Sequence, residues 1–296
     1  MYIIGLCFCL FMASLHLSAN NQQTPLTTIS TAENDWQKGN ALMLKKEREA
    51  ALPYLQKALP IFIQNQQWAQ ASECFQQQAN AWYRLKSYDS LLLFTNHFLP
   101  AFPTNISDTS RHIAYVHTYV ASTYSKRHQY ANALVTYDKA INIFKKQDLK
   151  GDFTAYAYKN ALQVCDRQLN YEKMRAYAFA ALAADTNQLY TASIYASLLS
   201  CYTYLQKEKK AFEYYLLGLE ASQSPKDSAK LNIAGAALFY EVKQDMQQAS
   251  THLTQAINYY KHKDNSKYLC TAYTTLAELR LKNNETALAE KAYLQA

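Results

Sequence analysis

Ala121 is followed by Tyr124 three residues on, Ala133 at twelve, Tyr137 at sixteen and Ala140 at nineteen. This order fits two helices whose backbones approach closely at the small sites, with bulkier side chains filling the space beyond them. A polar turn, Ser125 to Gln129, joins the two halves. The same offsets give Gly39, Leu42, Ala51, Leu55 and Ala58, then Ala79, Trp82, Leu91, Thr95 and Phe98 with a degenerate second half. After the opening set come Leu162, Cys165, Met174, Ala178 and Ala181, a weak copy, and then Leu199, Tyr202, Ala211, Tyr215 and Gly218. The last two sets are Ala237, Tyr240, Ala249, Leu253 and Ala256, and Ala277, Arg280, Ala289, Tyr293 and Ala296. A chain so constrained must be a stack of helical hairpins, each packed on its neighbours, with a core that grows along one axis.

These small and aromatic sites resemble the tetratricopeptide repeat (TPR), a helix-turn-helix unit that stacks on copies of itself. The second-helix small sites from Ala51 to Ala289 are spaced 37 to 42 residues apart, longer than the roughly 34 residues of the standard unit. The period therefore resembles that of long TPR variants, such as those of kinesin light chain, rather than the short form. The implied fold is all-α, a right-handed α-α superhelix of about seven hairpins. Composition agrees: 5 Gly and 6 Pro are few, as in a chain that is nearly all helix, and 25 Tyr suit thin layers in which a ring is buried and its hydroxyl reaches the surface. Turns are expected at Gln64–Gln67, Pro103–Asp108, Lys145–Asp152, Gln223–Ser228 and Lys261–Ser266. Pro53 falls in the first turn of its helix, whereas Pro60 is expected to end or kink it.

Residues Tyr2 to Leu17 are nearly all apolar or small, and Leu17-Ser18-Ala19 offers a small-residue cleavage site. The reading is an export signal over 1–19, a flexible polar lead over 20–31 and a solenoid over 32–296, with the first helix starting near Ala32. No Lys or Arg precedes the apolar run, so an uncleaved anchor or a misplaced start codon stays open as an alternative. Cys7 and Cys9 lack the sequence context of a lipoprotein signal. The expected location is the periplasm or cell envelope of a bacterium. The chain stops inside the second helix of its last repeat without a polar capping helix, which suggests either the N-terminal part of a longer protein or a last face covered by a partner. The resemblance implies, in the first case, a membrane-linked output such as a histidine kinase or DNA-binding domain.

Catalytic chemistry is not indicated. There is no Gly-rich phosphate loop and no His-Glu-x-x-His pair; His112 and His117 are five apart and do not share a helix face, and His128, His252 and His262 stand alone. Cys74, Cys165, Cys201 and Cys270 show no Cys-x-x-Cys spacing and fall in different first helices, where buried free thiols are favoured over a Cys165–Cys201 bridge. No nucleophile, metal set or acid/base pair emerges, so the chain reads as noncatalytic and without cofactor or metal. The net charge of +7 comes from lysines in hairpin turns and at helix ends, where they solvate the ends and complement the helix dipole, so no nucleic acid partner is expected.

The resemblance places a binding surface on the concave face, lined by first helices. Offsets of minus six, minus three, plus one and plus four from each small site give Trp36, Asn40, Asn80, Tyr83, Tyr115, Thr118, Ser122, Tyr156, Lys159 and Gln163 as a peptide-binding groove, with Glu33, Met43, Glu73, Gln76, Ser125 and Asp166 at equivalent places. The fifth repeat supplies Ser193, Ala196, Ser200 and Thr203. Some TPR domains hold a chaperone's C-terminal carboxylate with Lys and Asn on successive first helices; Lys159 is suitably placed, but Gln163 stands where the Asn would be, so that activity is not implied. Two functions follow: a binding scaffold holding a protein or peptide partner, or the sensory half of a signalling protein.

Overall fold

The computed structural model describes residues 26–263 and 266–296. Among the described residues there are fifteen α-helices and no strand. Consecutive helices fold back on each other as hairpins: α1 (Leu26–Leu44) with α2 (Arg48–Gln64), α3 (Trp68–Arg84) with α4 (Tyr88–Phe98), α6 (Arg111–Lys126) with α7 (Tyr130–Lys146), and α8 (Asp152–Arg167) with α9 (Tyr171–Ala184). They continue as α10 (Thr191–Tyr204) with α11 (Glu208–Glu220), α12 (Pro225–Ala237) with α13 (Met246–Lys261), and α14 (Ser266–Lys282) with α15 (Thr286–Tyr293). The short α5 (Thr104–Ser107) lies within the expected turn after α4, preceded by a 3₁₀ turn over Leu99–Ala101.

One turn geometry closes most hairpins. At α6–α7, His128 has φ +60; its N–H donates to the Ser125 carbonyl at 3.1 Å and the Gln129 N–H donates to the Tyr124 carbonyl at 2.9 Å. This pair of bonds is a Schellman cap, which satisfies carbonyls that the helix end leaves free. Lys46, Lys86, Leu169, Gln206 and Asn284 occupy the same place with φ between 54 and 65, and none is glycine. The residue after each then opens the second helix with its own carbonyl: Gln129 accepts from the Ala133 N–H at 3.0 Å and Glu47 from the Ala51 N–H at 3.0 Å. The second-helix small site is therefore the fifth residue after the left-handed cap position. Ala51, Leu91, Ala133, Ala211, Ala249 and Ala289 are all fully buried there and Met174 nearly so. Gly39 is the tightest first-helix site, because a Cβ there would meet Leu55 at 2.7 Å.

Expectations are corrected in three places. Helix α1 is already formed over Leu26–Leu44 among the described residues, ahead of the expected start near Ala32, because the threonines and Ile29 lower helix propensity without breaking the helix. The export signal lies outside the described residues. Both prolines lie inside α2, which runs from Arg48 to Gln64: Pro53 is its sixth residue, past the first turn, and Pro60 does not end it, because Leu59 and Phe62 on either side are fully buried and packing carries the helix past the missing amide. In the sixth hairpin the offsets slip by one. A π turn over Leu238–Val242, in which the Asp245 N–H reaches six residues back to the Phe239 carbonyl at 2.8 Å, inserts one residue before α13. The buried sites are thus Ala236 and Phe239 rather than Ala237 and Tyr240.

The core follows the stack as two clusters, one from α1 to α8 and one from α6 to α14. Cys165 and Cys201 are separate buried thiols in the second. Burial pushes both up, Cys165 to about 12 and Cys201 to about 11, so they stay protonated.

Candidate functional site

First helices α6, α8, α10, α12 and α14 line a groove of about 920 Å³. Within α10, Ser193, Ala196, Ser197, Ser200, Thr203 and Tyr204 face it. Counted from the small site Leu199, these are minus six, minus three, minus two, plus one, plus four and plus five. The same six steps from Ala236 give Lys230, Ile233, Ala234, Ala237, Tyr240 and Glu241, all of them lining residues. The agreement holds only with the shifted register, so the π turn is what aims Tyr240 and Glu241 into the groove. Such turns inside α-helices are often found at functional positions.

The floor offers hydrogen-bond acceptors. Ser197 donates its hydroxyl to the Ser193 carbonyl at 3.2 Å and Ser200 to the Ala196 carbonyl at 3.1 Å. A hydroxyl that spends its hydrogen on its own helix presents lone pairs outward. The charged lining residues carry both signs: Lys126, Arg167, Lys230 and Lys282 against Asp166, Glu241 and Glu278. Lys282 pairs with Glu241 at 2.8 Å and lies 4.7 Å from the Tyr240 ring centre. Lys230 sits 5.6 Å from the Tyr268 ring centre, and burial lowers its pKa. Asp166 is pushed up from the usual carboxylate range by burial, against the pull of Arg167.

Of the ten residues put forward as the peptide-binding groove, Gln163 lines this open groove, and so do Ser125, Asp166, Ser193, Ala196, Ser200 and Thr203, which the same offsets gave at equivalent places. Tyr83, Tyr115, Tyr156 and Lys159 come together elsewhere, in an aromatic ladder. Tyr83 stacks on Tyr119 at 5.3 Å, Tyr119 meets Phe153 edge-on at 5.6 Å, Phe153 packs on Tyr156 at 5.8 Å and Tyr156 on Tyr190 at 6.1 Å. Tyr115 joins through Phe153 at 4.1 Å. The Tyr83 and Tyr156 hydroxyls lie 3.5 Å apart, although α3 and α8 belong to hairpins separated by another. Lys159 spans the far end, 5.1 Å from the Tyr156 ring and 5.2 Å from that of Tyr190. Thr118 and Ser122 are buried at 0% and 5% exposure; Thr118 donates to the Ala114 carbonyl at 2.9 Å and Ser122 bonds the Tyr137 hydroxyl at 2.8 Å. They are packing residues. Trp36, Asn40 and Asn80 are half-buried on α1 and α3, with Trp36 edge-on to Phe62 at 5.9 Å.

Among the lining residues that those offsets miss, Ser197, Ala234 and Thr275 sit at minus two and Lys126, Arg167, Tyr204, Glu241 and Lys282 at plus five. At plus five the chain reads Arg84, Lys126, Arg167 and Tyr204 in successive hairpins, a run of mostly long polar side chains that could have flagged this edge. Among the described residues no group of three or more His, Cys, Asp or Glu could hold a metal, and no helix is long and apolar enough to cross a membrane.

No family model and no curated protein matches the sequence. Solved structures do match the fold. The chain is similar to the apo form of the quorum sensor NprR from B. thuringiensis, with TM-score 0.61 and 18% identity over 90% of this chain and 75% of that one. It is similar to PilF of Pseudomonas aeruginosa, with TM-score 0.55 and 15% identity over 80% and 95% of the two chains. It also resembles the C-terminal part of a TPR repeat-containing protein from Cytophaga hutchinsonii, with TM-score 0.52 and 13% identity over 88% and 94%. The molecule is a helical-repeat solenoid of the TPR type.

Proposed function

We propose that the chain is a protein- or peptide-binding TPR scaffold that holds an extended, weakly charged segment of its partner in the groove from α6 to α14. The observation that carries this reading is the acceptor-rich floor at Ser197 and Ser200, which matches the N–H groups of an extended backbone. Mixed charge on the lining disfavours a strongly acidic or basic ligand. The fold likeness to a quorum sensor supports a second reading, in which the same groove is the sensory half of a signalling protein. Residues 1–19 support a place in the cell envelope. Export is tested by fusing them to a reporter enzyme active only outside the cytoplasm.

The groove is tested with a displayed peptide library selected on the purified chain. The Ser197→Arg/Ser200→Arg double variant fills the floor with two long cations at positions already partly open to solvent. Selected peptides should lose at least about tenfold in affinity, roughly 1.4 kcal/mol, while the helical circular dichroism stays unchanged. Peptides that bind both forms equally would overturn the assignment.

A further inference from the structure

Helix α11 is the second helix of its hairpin, and its outer face exposes three large hydrophobic residues, more than any other second helix among the described residues. Phe212, Leu216 and Leu219 are 37%, 50% and 41% exposed. Their spacing of four and three residues places them in a single seam, the spacing at which two helices interlock side chains. Among the other second helices, α2 and α13 expose no large hydrophobic residue, α4, α7 and α9 expose one each (Leu93, Val135 and Phe179), and α15 exposes two, Leu288 and Tyr293, five residues apart. Single exposed hydrophobics thus recur on the outer surface, but a continuous seam of three is found on α11 alone among the described second helices.

Charge at the two ends of the seam says what fits it. Lys209 lies at its N-terminal end and Glu220 at its C-terminal end, both exposed, and neither is in an ion pair among the described residues. Lys243 covers one edge of Phe212, 5.3 Å from the ring centre, and is itself held by Glu208 at 2.6 Å. Turned end for end, this helix is its own complement: seam meets seam, the lysine end meets the glutamate end, and the helix dipoles oppose. We propose that α11 is the contact between two copies of this chain, packed antiparallel about a twofold axis near Leu216. The inference does not rest on the groove, which lies on the first helices.

A helix of 13 residues is about 20 Å long, so the buried area is small and the dimer is weak and concentration-dependent. Sedimentation velocity of the purified chain should show a monomer–dimer equilibrium. Leu216→Glu puts like charges on the axis and should weaken it at least about tenfold. Lys209→Glu and Glu220→Lys should each weaken it, and the two together should restore it, because the swapped ends again match. All three positions are exposed, so circular dichroism and thermal melting should be unchanged. A chain that stays monomeric at every concentration, self-association indifferent to Leu216→Glu, or a double variant no better than either single one would each overturn the proposal.

Discussion

His117 is among the few buried polar residues of the core, 8% exposed on α6. Burial, with Lys139 nearby and only partly offset by Asp108, lowers its pKa from 6.5 to about 4. The folded state therefore holds a neutral imidazole where the unfolded chain would take up a proton. Stability from this residue is fully present above pH 6.5 and is lost as pH falls towards 4. Between pH 7.5 and 5 the loss is about 2 kcal/mol on this ground alone. Urea unfolding of the chain and of His117→Asn at the two pH values measures it: the parent should lose about 2 kcal/mol more than the variant over that interval. Equal losses would mean that the imidazole is protonated in the fold or reaches solvent.

At the scale of the element, the turn geometry recurs while its residues vary. Leu169 occupies the left-handed cap position between α8 and α9 with φ +55 and is 62% exposed. A β-carbon in that region costs about 1 kcal/mol, and its side chain has little packing to lose. Leu169→Gly should therefore stabilise the chain by about 1 kcal/mol in urea unfolding, and Leu169→Ala should not. The same recurrence explains what was legible in the sequence. Ala51, Ala133, Ala211, Ala249 and Ala289 could be read because each stands five residues past a left-handed cap position and permits one close helix approach. The sixth hairpin misled because a π turn adds a residue without leaving a local signature in Leu238–Val242. Thr118 and Ser122 misled because small hydroxylic residues serve equally well on a wet face or in a packed layer; a partner such as Tyr137 decides it.

Across the whole molecule, the groove is open in one half and filled by rings in the other. Its curvature accumulates from many small angles between hairpins, so no local offset encodes it. Tyr83 and Tyr156 both occupy predicted groove positions, yet the solenoid curls enough to bring their hydroxyls within 3.5 Å. Burial, and then Tyr156 itself, raises the pKa of the Tyr83 phenol, so Tyr83 keeps its proton at any ordinary pH. Lys126 adds a cation 5.7 Å from the Tyr83 ring centre. If the ladder holds the curl, removing its central ring should open it. Tyr156→Ala removes the packing on Phe153 and Tyr190 and the support under Lys159, at a cost of about 2–3 kcal/mol from burial and ring contacts together. Helices α6 and α8 keep their own hairpin partners, so helical content should be unchanged while small-angle scattering gives a larger radius of gyration. Tyr156→Phe keeps the ring and should scatter like the parent. If Tyr156→Ala lowered stability without altering the scattering profile, the curl would be set by packing between the helix backbones, and the ladder would merely fill the space that this packing leaves.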